Sequence, residues 1–259
     1  MVGLKPKEFM ADKNMVIKLT DYKYPTKKEW LEVAKNLPDF NSFDFSNVSI
    51  PKLIFEFSLS FQEVNRLNNL FVWDNILSKD LWSLKHSFIN AIVNYNRKIA
   101  IKSEEFKEKS KVVNLLQYEF YSQSCFINII STRDTILQIV NVYLMLDLKD
   151  NRISPDKVLK KVAEVKNIEI FEVIERICSG LSNCSEIRNS LIHRYSKLVP
   201  DRRTSLVRDN SVINGPTNNF ITYPKQIEIL TSSVDLILNE LLEMKSIFNQ
   251  LKRQTKLNE

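Results

Sequence analysis

Residues 227–251 read IEILTSSVDLILNELLEMKSIFNQL. Within them Ile227, Leu230, Val234, Ile237, Leu241, Met244, Phe248 and Leu251 follow one another by steps of three and four without a miss. An α-helix turns once in 3.6 residues, so this spacing stacks the apolar side chains on one seam about seven turns long. Leu238, Leu242 and Ile247 widen the apolar surface beside it. Packing inside the chain's own bundle is the default use of such a seam, and a share in a dimer contact is the other.

The rest of the chain reads the same way. Only 3 glycines occur in 259 residues, so little turn chemistry is on offer and long helices with few connections are expected. Leu115 to Leu148 is the longest apolar-periodic run and is predicted to be a central helix, with Arg133 and Asp134 interrupting it. Phe61 to Ile101 is also helical in pattern, with a break expected near Ser78, where Ser78-Lys79-Asp80 resembles a helix start. A charged link spans Lys102 to Lys111. Ser154-Pro155-Asp156 opens a helix with a cap and a proline at its first position, and a further helix covers Asn167 to Ser179. The fold class is therefore all-α, an antiparallel helical bundle over residues 60–259. Residues 1–59 are read as an N-terminal appendage, with a helix from Thr26 to Leu37 and short strands or an ordered loop at Val48–Ile50 and Leu53–Phe55. The long connection from Pro200 to Pro224 is expected to carry a small β-hairpin, Ser205–Val207 pairing with Phe220–Tyr223.

Composition narrows the function classes. No run of 18 apolar residues and no signal-peptide pattern occurs, so no membrane is expected and the chain is placed in the cytoplasm. Cys125, Cys178 and Cys184 fall on predicted helices as an odd set, which suits small buried hydrophobes better than disulfides or a zinc site. No metal and no cofactor is expected. Net charge is +6 with a pI near 9.0. That permits a nucleic-acid partner without requiring one. Its placement points further, because Arg188, Arg194, Lys197, Arg202, Arg203 and Arg208 face only Asp201 and Asp209 as counter-charges. The polar ridge His86, Asn90, Asn94 at i, i+4 spacing is read as a hydrated or inter-helix hydrogen-bonded face.

The chemistry concentrates in Arg188-Asn189-Ser190-Leu191-Ile192-His193, with Tyr195 two places on. His193 is one of 2 histidines in the chain. Imidazole exchanges a proton near neutrality, and guanidinium holds phosphate with a bidentate fork. Gly180 is read as the left-handed residue closing the preceding helix, and Asn183 as an N-cap with Glu186 completing a capping box. The new helix is expected from Cys184 to Leu198, stopping before Pro200, with Ile187, Leu191 and Leu198 as its apolar stripe. Arg188 and Tyr195 then lie within about 20° of each other, and His193 lies about 140° from Arg188, near Asn189. A histidine pointing away from its own apolar stripe is not a core histidine. It is either functional or an idle surface residue.

The spacing Arg-x4-His-x-Tyr with asparagine after the arginine resembles the signature of the HEPN superfamily, small helical bundles that are often metal-independent ribonucleases. The resemblance implies an endoribonuclease. His193 would be general acid or base, Arg188 would bind the scissile phosphate, and Asn189 would orient one or the other. Tyr195 supports them, and Arg194, Lys197, Arg202, Arg203 and Arg208 contact RNA. It further implies a homodimer whose two motif helices share one cleft. An antitoxin or regulatory protein is the second partner implied, in a toxin–antitoxin or phage-defence setting, with Tyr195 as a target for nucleotidylation. The other reading within the family is a non-catalytic RNA- or protein-binding module, and outside it a helical protein whose motif is accidental.

Overall fold

The computed structural model describes residues 15–37, 40, 43–46, 60–193, 197–198, 205–207, 211–213 and 220–257; His193, the short strands and residues 252–257 are described as backbone alone. The stretches Val48–Ile50 and Leu53–Phe55 lie outside those residues. Among the described residues the helices are α1 (Lys27–Ala34), α2 (Phe61–Asn96), α3 (Lys109–Tyr143), α4 (Pro155–Glu164), α5 (Ile168–Gly180), α6 (Ser182–His193) and α7 (Tyr223–Leu257). A hairpin of β1 (Ser205–Val207) and β2 (Ser211–Ile213) stands between the last two. The chain is all-α but for that hairpin.

The long helices α2 and α3 have 36 and 35 residues, about 53 Å each, and form the spine. No break occurs near Ser78. Leu70, Leu77, Leu81, Leu84 and Phe88 form one buried stripe straight past it, so packing overrides a local start signal. Asp80, read from sequence as part of that start, instead accepts the hydroxyls of Ser131 at 3.3 Å and Thr135 at 2.7 Å from α3. The expected Lys102–Lys111 link is shorter than its charge suggested, because α3 already begins at Lys109; the helix ends at Tyr143, short of the Leu148 expected.

Helix ends show how a glycine-poor chain turns. The left-handed residues after α2, α3 and α4 are Lys98, Met145 and Lys166, with φ of 70°, 51° and 58°. Each donates its N–H back into the last turn, to Tyr95, Val142 and Ala163 respectively. Gly180 does not take that role; it is the last residue of α5 with no positive φ. A Cβ there would lie 2.4 Å from Leu236 Cδ2, so glycine permits the close approach of α5 to α7. Ser154 and Pro155 stand where expected at the start of α4, although the serine hydroxyl makes no capping bond.

The seam of α7 is the floor of the core. Leu230, Val234, Ile237, Leu241, Met244 and Phe248 are buried against α3, α5 and α6. Residues from the N-terminal part join this core. Phe40, Phe43 and Phe45 are buried in it, with Phe45 edge-on to Phe248 at 5.5 Å. Buried Asp74 accepts the backbone N–H of Phe45 at 3.1 Å and of Ser46 at 2.7 Å, and burial pushes its carboxyl up to about 6. Thr26 caps α1 through a capping box with Glu29, and the Glu29 carboxylate is gripped by the Arg97 fork at the end of α2. No described helix is long and apolar enough to cross a membrane.

Candidate functional site

The motif helix α6 begins at Ser182, one residue after the end of α5, so Asn183 lies inside it and caps nothing. Cys184, Ile187 and Ser190 are its buried positions, in line with buried Leu181 just before it, and Leu191 is half-buried. Their spacing of three places the buried face slightly round from the stripe of Ile187, Leu191 and Leu198. Ser190 tolerates burial because its hydroxyl donates to the Ile187 carbonyl at 2.6 Å. Its oxygen also accepts the Lys197 N–H at 3.4 Å. The helix is described through His193, and Lys197 and Leu198 follow as a turn rather than as helix. Leu198 is buried all the same.

Two fastenings fix how α6 lies on α3. At its start, Arg133 Nη1 donates to Ser185 Oγ at 2.8 Å while the rest of the guanidinium holds Asp134. Beyond its end, buried Gln226 of α7 donates to the carbonyls of Leu198 at 3.1 Å and Ile221 at 2.7 Å. The same side chain accepts the Tyr118 hydroxyl of α3 at 3.0 Å. Travelling from Ser185 to Leu198 thus runs from Arg133 back to Tyr118, so α6 is antiparallel to α3. A backbone bond from Ile221 N–H to the Lys197 carbonyl, 2.9 Å, closes the neck of the 199–219 connection.

Within this frame Arg188 is half-buried and Asn189 exposed, and Arg188 Nη1 donates to Asn189 Oδ1 at 3.3 Å. The arginine and the asparagine of the motif are therefore brought together. His193 occupies the last residue of α6, one turn beyond Asn189. Lys197 does not stand as a free cation, because its ammonium pairs with Glu186 one turn before Ser190. Arg194, Tyr195, Arg202, Arg203 and Arg208 lie outside the described residues. The hairpin forms, but with a different second strand: Ser205 pairs with Ile213, Leu206 with Val212 and Val207 with Ser211. Phe220 precedes α7 and Tyr223 begins it. Both pack inward, with Tyr223 buried, its ring 5.6 Å from Tyr118 and its hydroxyl on Glu119 at 3.0 Å. A strand read there from aromatic and β-branched content is replaced by burial at a helix start.

The thiols are inert packing groups. Cys125 and Cys184 are buried, Cys184 Sγ lies 3.0 Å from Ser233 Oγ, and burial pushes the Cys184 thiol up to about 11. Among the described residues no group of three or more His, Cys, Asp or Glu side chains converges as metal ligands would. The polar ridge on α2 is more deeply placed than a hydrated face. Asn90 and Asn94 are buried and each donates its amide to the carbonyl four residues back, while His86 stacks between two tryptophans.

Sequence reasoning missed Gln226 and Ser185. A single glutamine at the start of a helix, or a serine on an arginine-rich one, carries no pattern that separates a clamp from a solvated side chain. Chemically, the arrangement offers a guanidinium with one neutral partner beside an imidazole-bearing helix end, on a helix held at both ends. The model of the Cthe2314-like HEPN family matches residues 73–252. Comparison with curated proteins and with solved structures gives no match.

Proposed function

Because this chain belongs to the HEPN superfamily, we propose that it is a metal-independent endoribonuclease acting as a homodimer, with the motif of α6 as its site. The observation that carries the reading is the state of Arg188. Among the described residues its one hydrogen-bond partner is the neutral Asn189 oxygen, so the guanidinium keeps capacity for a phosphate.

The reaction uses the ribose 2′-hydroxyl as nucleophile. One His193 takes its proton as the oxygen bonds to phosphorus, and the bond to the 5′-oxygen breaks. A second His193, from the other copy, gives that leaving oxygen a proton. The products are a 2′,3′-cyclic phosphate and a 5′-hydroxyl. Arg188 stabilises charge gathering on the non-bridging oxygens. Asn189 fixes the guanidinium through the bond already described. Tyr195 supports the arginine or the RNA, and the arginine-rich 199–219 connection guides the strand.

A second copy has a surface to meet. Along α3, on the flank between α2 and α6, Leu116, Phe120 and Ile127 are exposed, Phe120 at 65%. On the neighbouring motif helix Ile192 is exposed at 49%. An apolar strip running beside the motif suits a twofold contact that brings the two motifs together. In this setting an antitoxin or regulatory protein would act by covering the cleft or by modifying Tyr195.

His193→Ala is expected to abolish cleavage of single-stranded RNA while helicity and dimer mass, read by circular dichroism and light scattering, stay unchanged. Undiminished cleavage by that variant, in a preparation cleared of contaminating nuclease, overturns the assignment.

A further inference from the structure

Trp82 stands on α2 about 160° round from Asp80, the residue that bonds α3, and so projects from the opposite flank of the bundle. It is 61% exposed. Its ring is nonetheless fixed. The indole lies 4.0 Å from the His86 ring, centroid to centroid, at an interplanar angle of 35°. His86 lies 4.7 Å from Trp30 of α1, and Trp30 packs against the main core. Three rings in series, rooted in the core and ending in an exposed indole, make a rigid platform rather than a scattered surface hydrophobe.

The charges around it have one sign. Lys79 and Lys85 sit three residues before and after Trp82, one turn away on either side. Lys85 Nζ is 5.5 Å from the Phe40 ring, and neither lysine has an ion pair among the described residues. The carboxylates of α1 and that of Asp80 are engaged elsewhere: Glu29 with Arg97, Glu32 with Lys35, and Asp80 with two hydroxyls. Burial, and then Lys85, lower the His86 pKa, so the middle ring is a neutral aromatic at physiological pH. The positions of α2 around Trp82 are otherwise polar, with Ser78, Ser83 and His86, so the helix itself does not extend the indole into an apolar patch.

We propose that Trp82 is a stacking platform for a base of single-stranded RNA, with Lys79 and Lys85 holding the phosphates on either side. This rests on RNA being the chain's substrate and places a second contact away from the cleavage motif. Stacking on an exposed aromatic ring tolerates any base, so the platform adds affinity and not sequence preference.

The test uses the full chain and a ten-nucleotide oligouridylate, titrated in the His193→Ala background and read by tryptophan quenching and by anisotropy of a labelled strand. Trp82→Ala is expected to weaken binding about tenfold, and Trp82→Phe to recover most of it. Lys79→Ala with Lys85→Ala is expected to lower the slope of log affinity against log salt by about 1.4. Equal affinity for Trp82→Ala overturns the platform and leaves the nuclease reading intact. Weaker binding by Trp82→Ala, with no cleavage by the unaltered chain, supports the platform and removes the nuclease. No binding by the unaltered chain overturns both.

Discussion

Arg176 on α5 and Arg188 on α6 sit on successive helices that both pack on α7, and they are used in opposite ways. Arg176 closes its fork on Glu240 at 2.9 and 2.8 Å and reaches Glu243 at 2.7 Å, so two carboxylates one turn apart on α7 hold it in a structural clamp. Arg188 has no carboxylate among the described residues and touches only an amide oxygen. Arg66, Arg97 and Arg133 follow Arg176, each engaging Glu63, Glu29 or Asp134. The contrast shows that an arginine in a bundle is ordinarily neutralised in place. One left with a neutral partner has its anion-binding geometry intact.

The largest effect expected from that contrast is at the clamp. Glu240 is 6% exposed, and Arg176→Ala strands its carboxylate with no guanidinium beside it. Because Arg176 itself is partly exposed, the loss is expected to be about 2 kcal/mol rather than the full cost of breaking a buried pair. Urea denaturation of the two proteins measures it. A shift under about 0.5 kcal/mol would mean the fork is ornamental, and the comparison between the arginines would lose its structural half.

A smaller effect sharpens the same comparison by pH. The Arg97 fork holds the Glu29 carboxyl down to about 2, well below its ordinary range. A depressed carboxyl contributes stability above its unfolded pKa and loses it as pH falls towards the folded one. The gap between the unaltered chain and Glu29→Gln is therefore expected to be about 1 kcal/mol at neutral pH after solvent screening. It should close between about pH 4.5 and 2. Taking the difference removes Asp74, whose raised carboxyl acts in the opposite sense, its ionisation costing stability as pH rises from about 4 through 6. A gap that persists unchanged at pH 2 would break the link between that arginine and its carboxylate.

How much of this was legible in the sequence follows from what kind of information each feature needs. The α7 seam and the Ser154-Pro155 start are local patterns, and both were readable. The Thr26 helix start is local too, although the helix stops at Ala34 rather than Leu37 and the box that Glu29 completes with Thr26 was not read. The unbroken course of α2 past Ser78 was not readable, since it depends on a stripe that α3 covers rather than on neighbours in sequence. Gly180 was placed at a helix end correctly but for the wrong reason, because its need is set by Leu236, 56 positions away in the chain. At the site, the helix bearing Arg188, Asn189 and His193 was legible from periodicity, and the family from their spacing. The clamp by Gln226 and Tyr118 was not, because a buried polar contact between distant residues leaves no periodic trace.

The smallest effect on stability is expected at Arg188, and it is the most informative. Among the described residues nothing leans on this guanidinium: its one hydrogen bond there, 3.3 Å to an exposed amide, is long and solvent-competed. Arg188→Ala should change the unfolding free energy by less than about 0.5 kcal/mol, as a surface substitution away from any clamp does. Cleavage of RNA should fall by about a hundredfold or more, the usual consequence of removing a donor aimed at developing transition-state charge. Arg188→Lys keeps the charge but not the planar fork, and is expected to recover only part of that loss. If Arg188→Ala unfolds as readily as Arg176→Ala, the residue is structural after all. The difference between the two helices then reflects only which partners the bundle supplied.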